Sequence, residues 1–387
     1  MLTKSINFKN FKVNKVNKVN QKIDKDFKIL IKEKSTLLKS LGTTYKNIYT
    51  KKVILRIKKY SNIRIIGMGG SILGTESIYD FLRHKVKKKF IFINNLQSKI
   101  KNLDKKKYVN IIVSKSGNTL ETICNVNIFV KKKEKNVFIT ENKKSYLFTL
   151  AKKLKAEIIH HNNFIGGRYS VLSEVGMLPA ELMGLNIKKF KQINNLVKNK
   201  KFVNSLITNV NSTLYFLKKK KFNSIILNYD VSSNNLFKWY QQLLAESLGK
   251  KRNGILPLIS TMPKDNHSLM QLYLDGPKNN FFTFFYVKEK NSSKIINNKI
   301  LPTHEYLKNK DLDQIIYAQK LATQNIFLKK KIPFRSFEVN LRNEKTLGEL
   351  FSFFILETIL LARALKLDPY NQPSVELIKT ETKKILI

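Results

Sequence analysis

Cysteine is almost absent: Cys124 is the single one in 387 residues. That excludes an intramolecular disulfide framework and any metal site built from several thiolates, and it suits a reducing, cytoplasmic setting. Acidic side chains are scarce too, 27 against 73 Lys and Arg, which leaves a formal charge of +46. The lysines are scattered along the whole chain beside many asparagines. Both residues have A/T-rich codons, so the charge reads as coding bias and not as a specific nucleic-acid surface; a positive field still draws in anionic substrates. Long apolar runs are missing. The most apolar segment, residues 350–367, contains Glu357 and Arg363 and reads as a buried helix, not a membrane span. The first 22 residues carry charge without an apolar stretch and are not expected to act as a secretory signal.

What is present is an alternation. Apolar runs at 63–66, 90–93, 109–113, 137–139 and 157–159 read as strands, with helical stretches at 71–84 and 119–131 between them. The rhythm restarts with a helix at 195–218. Strands at 224–227, 281–287 and 336–340 then alternate with helices at 234–248, 311–327 and 346–366. Strand, loop, helix, strand is the pattern of a parallel sheet covered on both faces. The chain therefore reads as α/β: two similar three-layer α/β/α subdomains with mainly parallel sheets, residues 46–186 and 187–367. A Lys/Asn-rich segment with one helix at 24–41 precedes them (residues 1–45), and a helical tail from Ser374 closes residues 368–387. The repeat over residues 14–20 is low in complexity and reads as loose.

Glycine is rare, 14 in all, and it clusters where chemistry is plausible. GMGGSILG at residues 67–74 leaves a strand and opens a helix. Gly70 would let a ligand approach the backbone, and Ser71 adds a hydroxyl at a helix end that favours anions. It matches neither a dinucleotide fingerprint nor a Walker loop. SKSGNT at 114–119 repeats the arrangement after another strand. There Ser114, Ser116 and Thr119 supply hydroxyls and Lys115 an ammonium. Two such loops at the carboxyl edge of one sheet point to a phosphorylated ligand. Arg168 follows a glycine pair and could hold an oxyanion with paired donors. On the helix at 234–248, Gln242 and Glu246 share a face, which makes Glu246 a candidate base. The pattern alone favours an ordinary Glu246 paired with Lys250. His267 follows Asp265 in a loop, as an acid/base pair or a structural residue. Nothing local distinguishes Lys379.

Taken together, these segments resemble the glucose-6-phosphate isomerase family, a two-subdomain sugar-isomerase (SIS) fold. The resemblance runs in order from about residue 63 to 379, through GMGGSILG, SKSGNTLET, GGRYSVLSEVG, QQLLAESLGK, the His267 segment and PYNQPSVELIK at 369–379. Gly117-Asn118 and the lead-in to His267 depart from the usual family pattern. The resemblance implies reversible aldose–ketose isomerisation of glucose 6-phosphate and fructose 6-phosphate in glycolysis and gluconeogenesis, with no metal and no redox cofactor. A dual glucose/mannose enzyme would use the same residues, while a sugar-phosphate-sensing DNA-binding regulator would need a helix-turn-helix for which residues 1–45 have little room. The resemblance implies Glu246 as base, Arg168 as stabiliser of the enediolate, and His267 with Lys379 for ring opening. It implies Gly70, Ser71, Ser114, Lys115, Ser116 and Thr119 around the phosphate and Gln242 and Gln372 at the sugar hydroxyls. It further implies a homodimer in which His267 enters the neighbour's site.

Overall fold

Runs of β-branched residues, too apolar for a strand with a wet face, build the first sheet. In the computed structural model, which describes residues 2–13, 17–33, 35–99 and 107–387, this half starts after a short N-terminal strand β1 (Ile6–Lys9) and helices α1 (Asn17–Lys32), α2 (Thr36–Ser40) and α3 (Lys51–Lys58). Then come β2 (Asn62–Gly67), α4 (Leu73–Phe81), β3 (Lys89–Ile93), β4 (Val109–Val113), α5 (Leu120–Phe129), β5 (Lys135–Thr140), α6 (Tyr146–Lys153) and β6 (Glu157–His160). The five strands β2–β6 are parallel and lie in the order β3-β2-β4-β5-β6. The chain leaves β2 in one direction and returns to its other side at β4. The crevice at the carboxyl ends of β2 and β4 is therefore a topological switch point, where open α/β sheets bind ligands.

Helices α7 (Glu174–Leu182), α8 (Ile193–Leu196) and α9 (Lys200–Lys218) lead into the second half. It continues with β7 (Asn223–Asn228), α10 (Asn234–Leu248), β8 (Leu256–Thr261), α11 (Met270–Asp275), β9 (Asn280–Val287), α12 (Leu312–Lys329), β10 (Phe334–Val339) and α13 (Glu344–Ala364), and α14 (Pro373–Ile385) closes the chain. The sheet order is β1-β10-β9-β7-β8, all parallel except β1. Helix α13 is apolar nearly all round and buried over almost its whole length, as such a helix must be. Its one central carboxylate, Glu357, pairs with buried Arg335 of β10 and accepts from Tyr240 Oη of α10 at 2.9 Å. Arg335 also donates to Asn209 Oδ1 (2.8 Å) and Thr283 Oγ1 (2.9 Å). The buried charges are fully paired, so the network fixes α10 against α13 and the sheet.

Several elements depart from the sequence reading. The single helix expected over 24–41 is two, because Ser35 accepts from Leu38 N at 3.3 Å and starts a new helix. Of the repeat at 14–20, residues 14–16 lie outside the described residues, while residues 17–20 form the start of α1. Strands β1 and β8 were not foreseen. β1 is only INFK, with Ile6 and Phe8 buried and Lys9 exposed, and it runs antiparallel to β10 from Ile6↔Val339 to Lys9↔Ser336. Thus the N-terminal segment adds an edge to the second sheet. β8 contains Pro257 and has alternate exposed residues, as an edge strand can. Among the described residues, no helix is long and apolar enough to cross a membrane.

Candidate active site

Three loops meet where the two halves face each other. The glycine loop after β2 packs so closely on residues 166–168 that a Cβ at Gly70 would lie 2.3 Å from the Gly167 carbonyl carbon and 2.4 Å from Arg168 N. Only glycine permits that backbone approach. The contact delivers Arg168, whose carbonyl accepts from the Trp239 indole N–H at 3.1 Å. The segment ahead of Arg168 is held by Glu174 at the start of α7, a buried carboxylate that accepts from Asn162 N (2.9 Å) and Tyr45 Oη (2.8 Å). A first-turn carboxylate also complements the helix's positive end.

The Arg168 guanidinium is buried, with 3% of its side chain exposed, and it uses its whole fork. Nε donates to Ser247 Oγ (2.9 Å), one terminal nitrogen to Glu246 Oε2 (2.9 Å) and Gln372 Oε1 (2.8 Å), and the other to the carbonyls of Pro369 (2.5 Å) and Asn371 (3.2 Å). Glu246 is 30% exposed, so one side of its carboxylate faces the cleft. Its other oxygen accepts from Gln242 Nε2 at 2.8 Å, the contact expected of residues four apart on α10. Gln242 in turn lies under the glycine loop: a Cβ at Gly69 would stand 2.8 Å from its Nε2. The local pairing of Glu246 with Lys250 does not form. Lys250 reaches the Asp368 carbonyl instead, and burial, with Arg168 nearby, pushes its ammonium down from the ordinary range.

At the switch point, Gly67 of β2 registers with Val113 of β4, so the loops after these strands are neighbours. In the second loop Ser114 Oγ and Thr119 Oγ1 lie 2.9 Å apart at the start of α5. Ser116 Oγ accepts from Asn118 N at 3.3 Å. Gly117 has φ +67°, and its Cβ would meet Ser145 Oγ at 2.1 Å. This left-handed, closely covered position turns the loop back over the strand end. Ser71 is buried behind the first loop. Lys115 does not add its ammonium to the hydroxyls: it donates to the Asn163 carbonyl (2.8 Å) and lies 3.6 Å from Glu141. The loops thus offer hydroxyls and backbone N–H groups, with Lys115 fastening the neighbouring segment.

Two expected site residues stand apart within this chain. His267 is exposed on a short 3-10 turn (Lys264–His267), and Asp265 does not pair with it. The Asp265 carboxylate accepts from Ser260 Oγ (2.9 Å), Thr261 N (2.7 Å) and Ser268 Oγ (3.0 Å), shaping the turn. Lys379 sits on the exposed helix α14 and pairs with Glu376 at 2.6 Å. Gln372, just before that helix, is brought in by Arg168. Sequence reasoning missed Ser247, Tyr169, whose Oη lies 2.9 Å from Ser247 Oγ, and the carbonyls of 369 and 371. The helical spacing of Gln242, Glu246 and Ser247 was a visible signal; the carbonyls left none.

Comparison with known proteins gives a family and a fold. The phosphoglucose isomerase family model matches residues 9–386. A glucose-6-phosphate isomerase of Methanocaldococcus jannaschii is 33% identical over 344 residues, 84% of this chain and 83% of its own. One from Mycoplasmopsis pulmonis is 34% identical over 350 residues, 83% and 82% of the two chains. Among solved structures, a hypothetical protein of Thermus thermophilus superposes with a TM-score of 0.82 at 21% identity over 95% of this chain and 94% of the other. A glucose-6-phosphate isomerase of Chlamydia trachomatis gives 0.77 at 15% identity over 99% and 89%. At those identities the structures establish the shared fold.

Proposed function

The chain belongs to the phosphoglucose isomerase family, and we propose that Glu246 is the base with which it moves a proton along the sugar. Its activity is that of a glucose-6-phosphate isomerase. Converting the aldose to the ketose takes a proton from C2 and places one on C1, with the hydroxyl proton shifting between the two oxygens. One carboxylate can do both transfers through an enediolate, and the sugar undergoes no net loss of electrons. The observation that carries the assignment is the position of Glu246. It is half-open to the cleft, oriented by Gln242 on one oxygen and by Arg168 on the other. The enediolate places negative charge on oxygen beside this site, and a buried guanidinium already held by four other acceptors needs no reorganisation to stabilise it.

The substrate's phosphate is assigned to Gly70, Ser71, Ser114, Ser116 and Thr119; Lys115, engaged by the Asn163 carbonyl and Glu141, is assigned to hold the neighbouring segment and not to grip the phosphate. Gln242 and Gln372 are assigned to the sugar hydroxyls. Ring opening needs a proton donor and acceptor at the ring oxygen, and His267 and Lys379 are assigned to it. His267 is assigned to a second subunit of a homodimer. Its exposure without a partner among the described residues supports this, as does α14, which exposes 40% of Val375, 72% of Leu377 and 70% of Ile378. A cytoplasmic location belongs to the same reading.

The test mixes two dead variants, Glu246→Gln and His267→Ala, unfolded and refolded together. In a dimer with shared sites, each hybrid has one site with both lesions and one with neither. Activity should return to about a quarter of wild type for random pairing in equal amounts. A mixture as inactive as each variant refolded alone, or a monomer by light scattering, would reject the shared site. The rate on fructose 6-phosphate and on mannose 6-phosphate reads the substrate range directly.

A further inference from the structure

The second sheet repeats the layout of the first. Strands β8-β7-β9-β10 take the order of β3-β2-β4-β5, so a second switch point lies at the carboxyl ends of β7 and β9. The isomerase reaction as assigned above does not use it. A cavity of about 320 Å³ opens there. Ser232 reaches it from the turn after β7, Lys288 and Lys290 from the end of β9, and Arg342 from the end of β10. Arg83 and His84 close it from the end of α4, on the other half of the chain.

The lining carries more positive than negative charge. Lys288 and Lys290 are exposed and pair with no carboxylate among the described residues. Arg83 donates to the Val86 carbonyl at 2.7 Å. Arg342 is held as a fixed wall: it forks onto Asp230 at 2.8 and 3.1 Å and lies 5.0 Å from the Phe81 ring. The carboxylates on the lining are Asp80, which accepts from Asn235, and Glu289, 3.9 Å from Arg342. Two long helices also begin beside it, α10 two residues beyond Ser232 and α13 two beyond Arg342.

We propose that this cavity is a second anion site, which binds a small phosphorylated metabolite at the seam between the two halves. Its volume is at the lower end of ligand pockets and leaves room for a phosphate on a short carbon body. It is separate from the substrate's phosphate crevice. Along α10 alone, the twelve residue steps from Asn234 to Glu246 span about 18 Å. The same helix and α4 lead from the cavity to the catalytic carboxylate and to the glycine loop, so a ligand here sits on the two elements that carry the site.

The experiment titrates the full chain with inorganic pyrophosphate by calorimetry at fixed ionic strength. Two classes of site are expected. The double variant Lys288→Met/Lys290→Met should weaken one class by about tenfold or more, with kcat and KM of the isomerase unchanged. The double variant Ser114→Ala/Thr119→Ala should weaken the other and leave the first intact, which separates this site from the substrate assignment. A single class of site, lost in Ser114→Ala/Thr119→Ala and untouched by the Lys288/Lys290 pair, would overturn the proposal. So would an equal loss on replacing exposed Lys132 and Lys133, since that would report net charge and no site.

Discussion

Replacing Glu246 by Gln isolates proton transfer from folding, because the surrounding hydrogen bonds can be re-formed. In the native site Oε2 accepts from Arg168 and Oε1 from Gln242 Nε2. The amide of Gln at 246 keeps one acceptor for Arg168 and turns its NH2 toward Gln242. Gln242 can answer by flipping its own amide, since its Oε1 is buried without a partner in the native site. Two hydrogen bonds exist before and after; the one to Arg168 changes from charge-assisted to neutral. That difference is worth about 1–2 kcal/mol, which in a chain of 387 residues corresponds to about 2 °C or less in Tm. The rate should fall much further. Loss of a positioned base removes about 10²–10⁴-fold, on kcat, with KM little changed. The assay couples fructose 6-phosphate formation to a dye-linked readout, and follows exchange of the C2 hydrogen of glucose 6-phosphate with deuterated water. Wild-type turnover or persisting exchange would place the base elsewhere. A large fall in Tm would show that the Gln242 flip does not occur and that the hydrogen-bond accounting is wrong.

Ser114→Ala and Thr119→Ala each remove a hydroxyl assigned to the phosphate, and each should raise KM about tenfold or more; an unchanged KM would refute the phosphate assignment. Burial lowers the pKa of the Lys191 ammonium, which donates to the carbonyls of Ser40 and Leu172, to about 7. The unfolded chain holds that proton to a pKa near the ordinary lysine value, so from about pH 7 to about pH 10 it binds more protons than the folded chain. The Lys191 contribution to stability therefore rises with pH through that window, by up to ~1.4 kcal/mol per pH unit. Urea unfolding of Lys191→Met at pH 7, 8 and 9 should show this slope removed relative to wild type, and an identical slope in both proteins would refute it.

The two loops assigned to the phosphate are legible in the sequence as loops that close strands and open helices. Gly67 to Gly74 and Ser114 to Thr119 each follow an apolar run and open a helical pattern, and a βαβ rhythm places such loops at one sheet edge. Periodicity likewise marked α9, α10 and α13, because a buried helix shows its apolar face locally. Strand β8 was hidden by Pro257 and by its exposed alternate residues, and β1 by its Lys/Asn-rich setting; an edge strand needs little apolar content of its own.

The sequence by itself determined the chemistry at hand: a carboxylate and an amide four apart on α10, glycines where backbones must touch, and hydroxyls at strand ends. These are local properties, set by side-chain type and by helical or strand period. Only the tertiary structure decided who meets whom. Sequence spacing favoured Lys250 for Glu246, yet Arg168, 78 residues away, took that place, and Gln372 joined it from 204 residues beyond Arg168. The reason is physical. An exposed pair four apart gains little in water, whereas a buried guanidinium must satisfy every donor, and the packing of α10, the 166–168 turn and the C-terminal segment brings five acceptors within its reach.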